Sequence, residues 1–187
     1  MKKVIFLLIF LPSLLWAQES PGSLQFWEQL KKHCGKAYEG EIVTGGKEGD
    51  GFSGETLTMH VRSCDERAIY IPFHVGENHS RTWILTLQDD HRILLKHDHR
   101  NEDGSEEEIT QYGGLSPNTG LAHIQTFPAD QFTADLLPRA SNNIWWFTID
   151  EESITYNLKV TGTDRHFSVR FDLGKEVETP PAPWGYD

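Results

Sequence analysis

Residues 67–100, RAIYIPFHVGENHSRTWILTLQDDHRILLKHDHR, alternate apolar and polar side chains in three successive runs with turn residues between them. Ile69, Ile71, Phe73 and Val75 fall on one face of the first run, the two-residue period of a strand buried on one side. The segment is read as three strands, Arg67 to Val75, Arg81 to Leu87 and His91 to Arg100, and the short Asp89-Asp90 turn makes the last two antiparallel neighbours.

The same period recurs on both sides. Before the segment it predicts strands over Lys36 to Val43 and Glu55 to Arg62, where Leu57, Met59 and Val61 share a face. After it come Glu107 to Tyr112, Gly120 to Phe127, Asn143 to Asp150, Ser153 to Val160 and Arg165 to Leu173, the last with Phe167, Val169, Phe171 and Leu173 aligned. Two stretches break the pattern. A leading helix is predicted with Ser23 as N-cap, Leu24, Trp27, Leu30 and Lys31 on one face, and Gly35 as its stop. A short helix runs from about Asp130 to Leu137, ended by Pro138. Ten sequential strands in one domain expose two sheet edges unless the sheet closes, so the predicted fold is all-β: one antiparallel up-and-down barrel with an N-terminal helix and one short additional helix. A sandwich is the alternative.

Lys2 and Lys3 before the apolar run Val4 to Leu15, with a small residue at Ala17, have the form of a signal peptide over residues 1–17. The run is short for a membrane span, so no transmembrane span is expected in the mature chain, an uncleaved anchor being the alternative. The barrel domain is then residues 18–178, and residues 179–187, with Pro180, Pro181 and Pro183, form an extended strap or a disordered tail. Export to the periplasm or the extracellular space puts Cys34 and Cys64 where paired thiols oxidise, and one structural disulfide between them is expected. The net charge of −11 disfavours nucleic acid and anionic lipid as partners. No feature fixes an oligomeric state.

In size, export and strand order the chain resembles the calycin-like barrels, the lipocalins and their relatives, which implies a barrel able to hold a small ligand. The first strand departs from their pattern of a glycine two residues before a tryptophan: Gly35 precedes Tyr38 by three, and no tryptophan follows. Cys34-Gly35-Lys36-Ala37-Tyr38-Glu39-Gly40 and His97-Asp98-His99-Arg100 also resemble segments of a group of exported bacterial proteins with no assigned activity, and that likeness implies no catalytic residue.

The stretch His97 to Glu108 holds the most chemistry. With a two-residue type I′ turn at Asp103-Gly104, His99 faces Glu108, His97 faces Thr110, Leu95 faces Tyr112 and Arg100 faces Glu107. Two imidazoles at i and i+2 with a carboxylate across the pair then share a face, a two-histidine, one-carboxylate arrangement for a divalent metal such as zinc built from His97, His99 and Glu108. The same register also serves as a plain His99–Glu108 cross-strand pair. The opposite face, with Lys96, Asp98, Arg100 and Glu107, is read as solvated. An EF-hand is excluded, because aligning Gly104 with that loop's glycine puts His99 and Thr110 where acids are required. No nucleophile elbow, phosphate loop or dinucleotide fingerprint is present, and Gly45, Gly46, Gly49, Gly51 and Gly54 mark a flexible loop. Trp83, Trp145, Phe147, Tyr156, Phe167 and Phe171 fill a barrel core or line an apolar pocket; of Trp145 and Trp146 one points inward and the other is covered by the helix through Trp27.

Three functions follow from these residues: a non-enzymatic exported protein that binds a small apolar ligand or a divalent metal, a metal-dependent or acid/base hydrolase using His97, His99 and Glu108 with Glu108 or Asp98 as base, and a structural or interaction protein of the cell envelope.

Overall fold

The computed structural model describes residues 19–186; the signal-peptide reading of residues 1–17 lies outside them. The helix α1 (Gly22–Lys31) is followed by β1 (Ala37–Thr44), β2 (Leu57–His60), β3 (Ser63–Cys64), β4 (Ala68–Val75), β5 (Asn78–Leu87), β6 (Ile93–His99), β7 (Tyr112–Leu115) and β8 (Ile124–Pro128). The short helix α2 (Gln131–Leu136) and a 3-10 turn at Pro138–Ala140 lead into β9 (Asn143–Ile149), β10 (Ser153–Val160) and β11 (His166–Val177).

All pairing is antiparallel, in the order β7-β6-β5-β4-β2-β1-β11-β10-β9-β8, with the two-residue β3 pairing β4 beyond β2. Apart from β3, each strand lies beside its sequence neighbours, so the ten-strand meander wraps into a nearly closed up-and-down barrel with β7 and β8 as its free edges. The predicted Glu55 to Arg62 strand continues as β2 and β3, broken where Val61 N–H turns to Lys36 and Arg62 N–H to Tyr70.

Inward residues form one core: Tyr38, Met59, Ile71, Phe73, Trp83 and Leu95 from one half, Phe127, Trp145, Phe147, Ile154, Val169 and Phe171 from the other. The interior is packed with side chains, and stacked aromatics run through it, with Trp83 4.4 Å from Tyr156 and 4.7 Å from Phe73. The outward tryptophan, Trp146, stacks on His166 at 5.5 Å, whereas Trp27 is itself core.

One barrel end is capped by α1, which buries Phe26, Trp27 and Leu30 and whose Gln29 amide donates to the Ala122 carbonyl at 2.6 Å. Pro21, not Ser23, occupies the N-cap position. Ser23 is fully buried inside the first turn because the helix start is pressed against the Gly120–Leu121 backbone, where Gly22 has no room for a side chain. Cys34, just past the helix, is bridged to Cys64 of β3 with Cα atoms 6.1 Å apart, so the cap is tied covalently to the barrel wall. Among the described residues no helix is long and apolar enough to cross a membrane.

Candidate functional site

The hairpin after β6 differs from the expected two-residue turn. Asn101 N–H donates to the Ser105 carbonyl and Gly104 N–H to the Asn101 carbonyl, at 2.8 and 2.9 Å, so Arg100 bridges Glu106 rather than Glu107. Asp103 selects this longer loop by accepting from the backbone and hydroxyl of Ser105 at 2.9 and 2.6 Å. The returning chain then bulges, with Gln111 at φ 58°, and the ladder resumes with His97 opposite Tyr112 and Leu95 opposite Gly114. Thr110 replaces the missing rung: its hydroxyl accepts from His99 N–H at 2.7 Å. A bulge of this kind is invisible to period counting because Thr110, a side chain, makes the bond that backbone would otherwise supply.

The new register keeps His97 and His99 on one face and takes Glu108 away from them. His97 points into the barrel, 4% exposed, with its ring stacked on Tyr112 at 4.6 Å. Its Nδ1 is 3.2 Å from the Tyr112 carbonyl and its Nε2 is 2.9 Å from the Tyr156 hydroxyl. A carbonyl only accepts, so Nδ1 carries the proton and Nε2 accepts from Tyr156. Burial, then the neighbouring His99, pushes His97 down to about 3, and burial likewise raises Tyr156, so both are neutral. His99 shares the inner face; its Nε2 is 3.1 Å from the Tyr112 hydroxyl and its Nδ1 is 3.7 Å from Glu107, and burial followed by Arg81 lowers it to about 4. Glu108 is exposed on the bulge, so the carboxylate that reaches His99 is Glu107, which the expected register had placed on the other face. Among the described residues no three His, Cys, Asp or Glu side chains converge as a metal-binding group.

The opposite face of β6 is not solvated either. Asp98 is fully buried, accepting from Arg100 Nε at 2.9 Å, Tyr186 Oη at 2.8 Å and Gln111 Nε2 at 2.5 Å. Its cover is the tail, which is an ordered strap: Pro183 is buried, and Arg62 donates to the Tyr186 carbonyl at 2.5 Å. The signal in the sequence was Trp184 and Tyr186 among the prolines, large surfaces that a solvated tail leaves exposed to water.

At the end away from α1 the barrel opens. Here β1 and β2 pair only from Ala37–His60 to Gly40–Leu57 and then part, and the Gly-rich loop fills the gap. Asp50 folds that loop by accepting from the backbone of Lys47, Phe52 and Ser53, each at 2.8 Å, and these bonds hold its carboxyl well below the usual carboxylate range. The turn aims Phe52 into the mouth, 5.0 Å from Phe167 and 6.2 Å from Phe73, with the Arg81 guanidinium 5.5 Å over its ring. Arg81 donates to Asn78 at 3.0 Å and, among the described residues, has no carboxylate within 4.0 Å. Burial pushes it down, and only the more distant Tyr112 and Glu107 act the other way. Between the loop and β1 lies an open cleft of 530 Å³ lined by the apolar Ile42, Val43, Phe52 and Leu57 and by the acidic Glu41 and Glu55, with Gly45 and Gly46 also in its wall.

No family model matches the chain, and the comparisons with curated proteins and with solved structures give no significant match.

Proposed function

We propose that this protein is an exported, non-enzymatic, calycin-like barrel that binds a small apolar ligand at its open end, in the cleft between β1 and the Gly-rich loop. The observation that carries this is the cleft itself: 530 Å³ falls within the range of about 300–1,000 Å³ for small-molecule sites, and it is the place where the barrel wall parts. The packed interior puts the ligand at the rim rather than along the barrel axis. Binding is favoured over hydrolysis because His97 uses both ring nitrogens on Tyr112 and Tyr156 inside the core, which leaves neither free for a substrate or a metal. The Cys34–Cys64 bridge supports export, since such bonds persist in oxidising compartments.

The test is fluorescence titration with N-phenyl-1-naphthylamine, a neutral apolar probe that fits this volume. Saturable one-to-one binding is expected, weakened at least tenfold by Val43→Glu, an exposed position of the cleft, while far-ultraviolet circular dichroism and Tm stay near wild type. Unsaturable binding, or equal affinity in a folded Val43→Glu variant, overturns the reading.

A further inference from the structure

The outer face of β2, β4, β5 and β6 is the underside of the strap. Trp184 N–H donates to the His79 carbonyl at 3.2 Å, the Tyr186 ring lies 6.1 Å from that of Tyr70, and the Arg100 guanidinium sits 5.5 Å over the Tyr186 ring. On the same outer face, and reached from the strap through His79, is His74, 3% exposed, with no hydrogen-bond partner for either ring nitrogen. The His79 ring packs edge-on against it at 4.5 Å, and the Trp184 ring follows at 6.3 Å from His79. His60, 5% exposed, has an unpartnered Nδ1.

The charged groups around His74 are all potential cations. β2 contributes His60, the turn after it Arg62, and β5 His79. The strap brings Trp184 and Tyr186 and, among its described residues, no acid at this point. Asp98 is already engaged by Arg100, Gln111 and Tyr186, and Glu39 of β1 is exposed and separated from His74 by Thr58 in the strand register. Among the described residues an imidazolium at position 74 has no counter-ion and no hydrogen-bond acceptor while the strap lies in place.

We propose that the C-terminal strap is an acid-released cover, latched over the barrel wall while His74 is neutral and freed when His74 takes up a proton. Burial, followed by His79, His60 and Arg62, lowers His74 to about 4 in the closed form, against about 6.5 for a solvated imidazole. Because the closed-state value is depressed, the open form binds the proton first. Closure is therefore favoured fully above about pH 6.5 and weakens as pH falls toward about 4, by up to about tenfold in the closed-to-open ratio per pH unit. Release uncovers the 360 Å³ cavity that the strap shares with Arg62, Tyr70, Pro72 and Thr82. This inference does not depend on the ligand reading of the open end.

Hydrogen exchange of the full chain between pH 7.5 and 4.5, corrected for intrinsic rates and read relative to the β9 amides, tests it. The Trp184 and Tyr186 amides are expected to lose protection by up to tenfold per pH unit below 6.5 in wild type. In His74→Phe they are expected to stay protected with no such slope, and His74→Gln serves as a second neutral variant if the phenylalanine does not fold. A flat wild-type profile, or the wild-type slope persisting in a folded neutral variant, overturns the proposal.

Discussion

Thr133 and Gly113 close the barrel through two hydrogen bonds: the Thr133 hydroxyl accepts from Gly113 N–H at 2.7 Å and donates to the Gly113 carbonyl at 2.8 Å. The same carbonyl accepts from Asp130 N–H at 3.0 Å. Gly113 belongs to β7 and Thr133 to α2, directly after β8, so the helix supplies the bonds that the two free edges do not make with each other. Asp130 fixes the helix by accepting from Thr133 N–H at 2.8 Å while holding Lys96 of β6 at 2.6 Å.

Thr133→Val keeps the shape and removes the hydroxyl, leaving a buried N–H and a weakened carbonyl at the seam. A loss of about 2–4 kcal/mol is expected in urea unfolding, from about 1–3 kcal/mol for each buried group left unsatisfied. Thr133→Ser should recover most of it. Equal stability of the valine variant would show that the seam is held by packing alone.

Gly114 faces the Pro128 carbonyl so closely that a methyl group has no room without moving backbone. Gly114→Ala is therefore expected to force β7 from β8, at about 1–3 kcal/mol by the usual cost of overpacking, with faster exchange at Asp130 N–H. Unchanged exchange there contradicts this reading of the seam.

Most strands and both helices were legible because their information is local: Ile69, Ile71, Phe73 and Val75 declare an inner face in any register, whereas the strand expected over Glu107 to Tyr112 shares only Tyr112 with β7. What failed at Glu108 was a long-range choice. The turn type depended on whether Asp103 would bond Ser105, and the register on whether Thr110 would stand in for a backbone rung, and neither leaves a mark in hydrophobic periodicity. Asp98 was misplaced for a different reason. Its alternation to the outer face is right, but the outer face is buried by a segment 88 residues away in sequence. The mouth was half visible: the glycines announced a loop, while the Asp50 turn that sends Phe52 inward emerged only in three dimensions.

The Cys34–Cys64 bridge closes a loop of 30 residues, for which the chain-entropy model gives about 3–4 kcal/mol. Replacing both cysteines by serine should lower stability by that amount and loosen α1 first, since the bridge ties the cap to β3. Free-thiol titration of the unfolded, unreduced wild type should find no reactive thiol, and two per chain would refute the pairing.

The His97–Tyr156 pair sets the acid limit of the core. His97 is neutral in the fold and lowered to about 3 by burial, whereas in the unfolded chain it titrates near about 6.5. The folded value is depressed, so the unfolded state gains the proton first and stability, complete above about pH 6.5, declines as pH falls toward about 3. His97 alone contributes a slope of about 1.4 kcal/mol per pH unit within that window, and His99 acts with the same sign. Urea unfolding at pH 7, 6 and 5 should show the decline, and nitrogen NMR shifts should report the Nδ1-protonated tautomer throughout. Tyr156→Phe removes the donor to Nε2 and is expected to cost about 1–3 kcal/mol at pH 7. If stability is flat from pH 7 to 5, His97 is taking up its proton inside the fold, and the neutral, doubly bonded imidazole derived from its geometry is wrong.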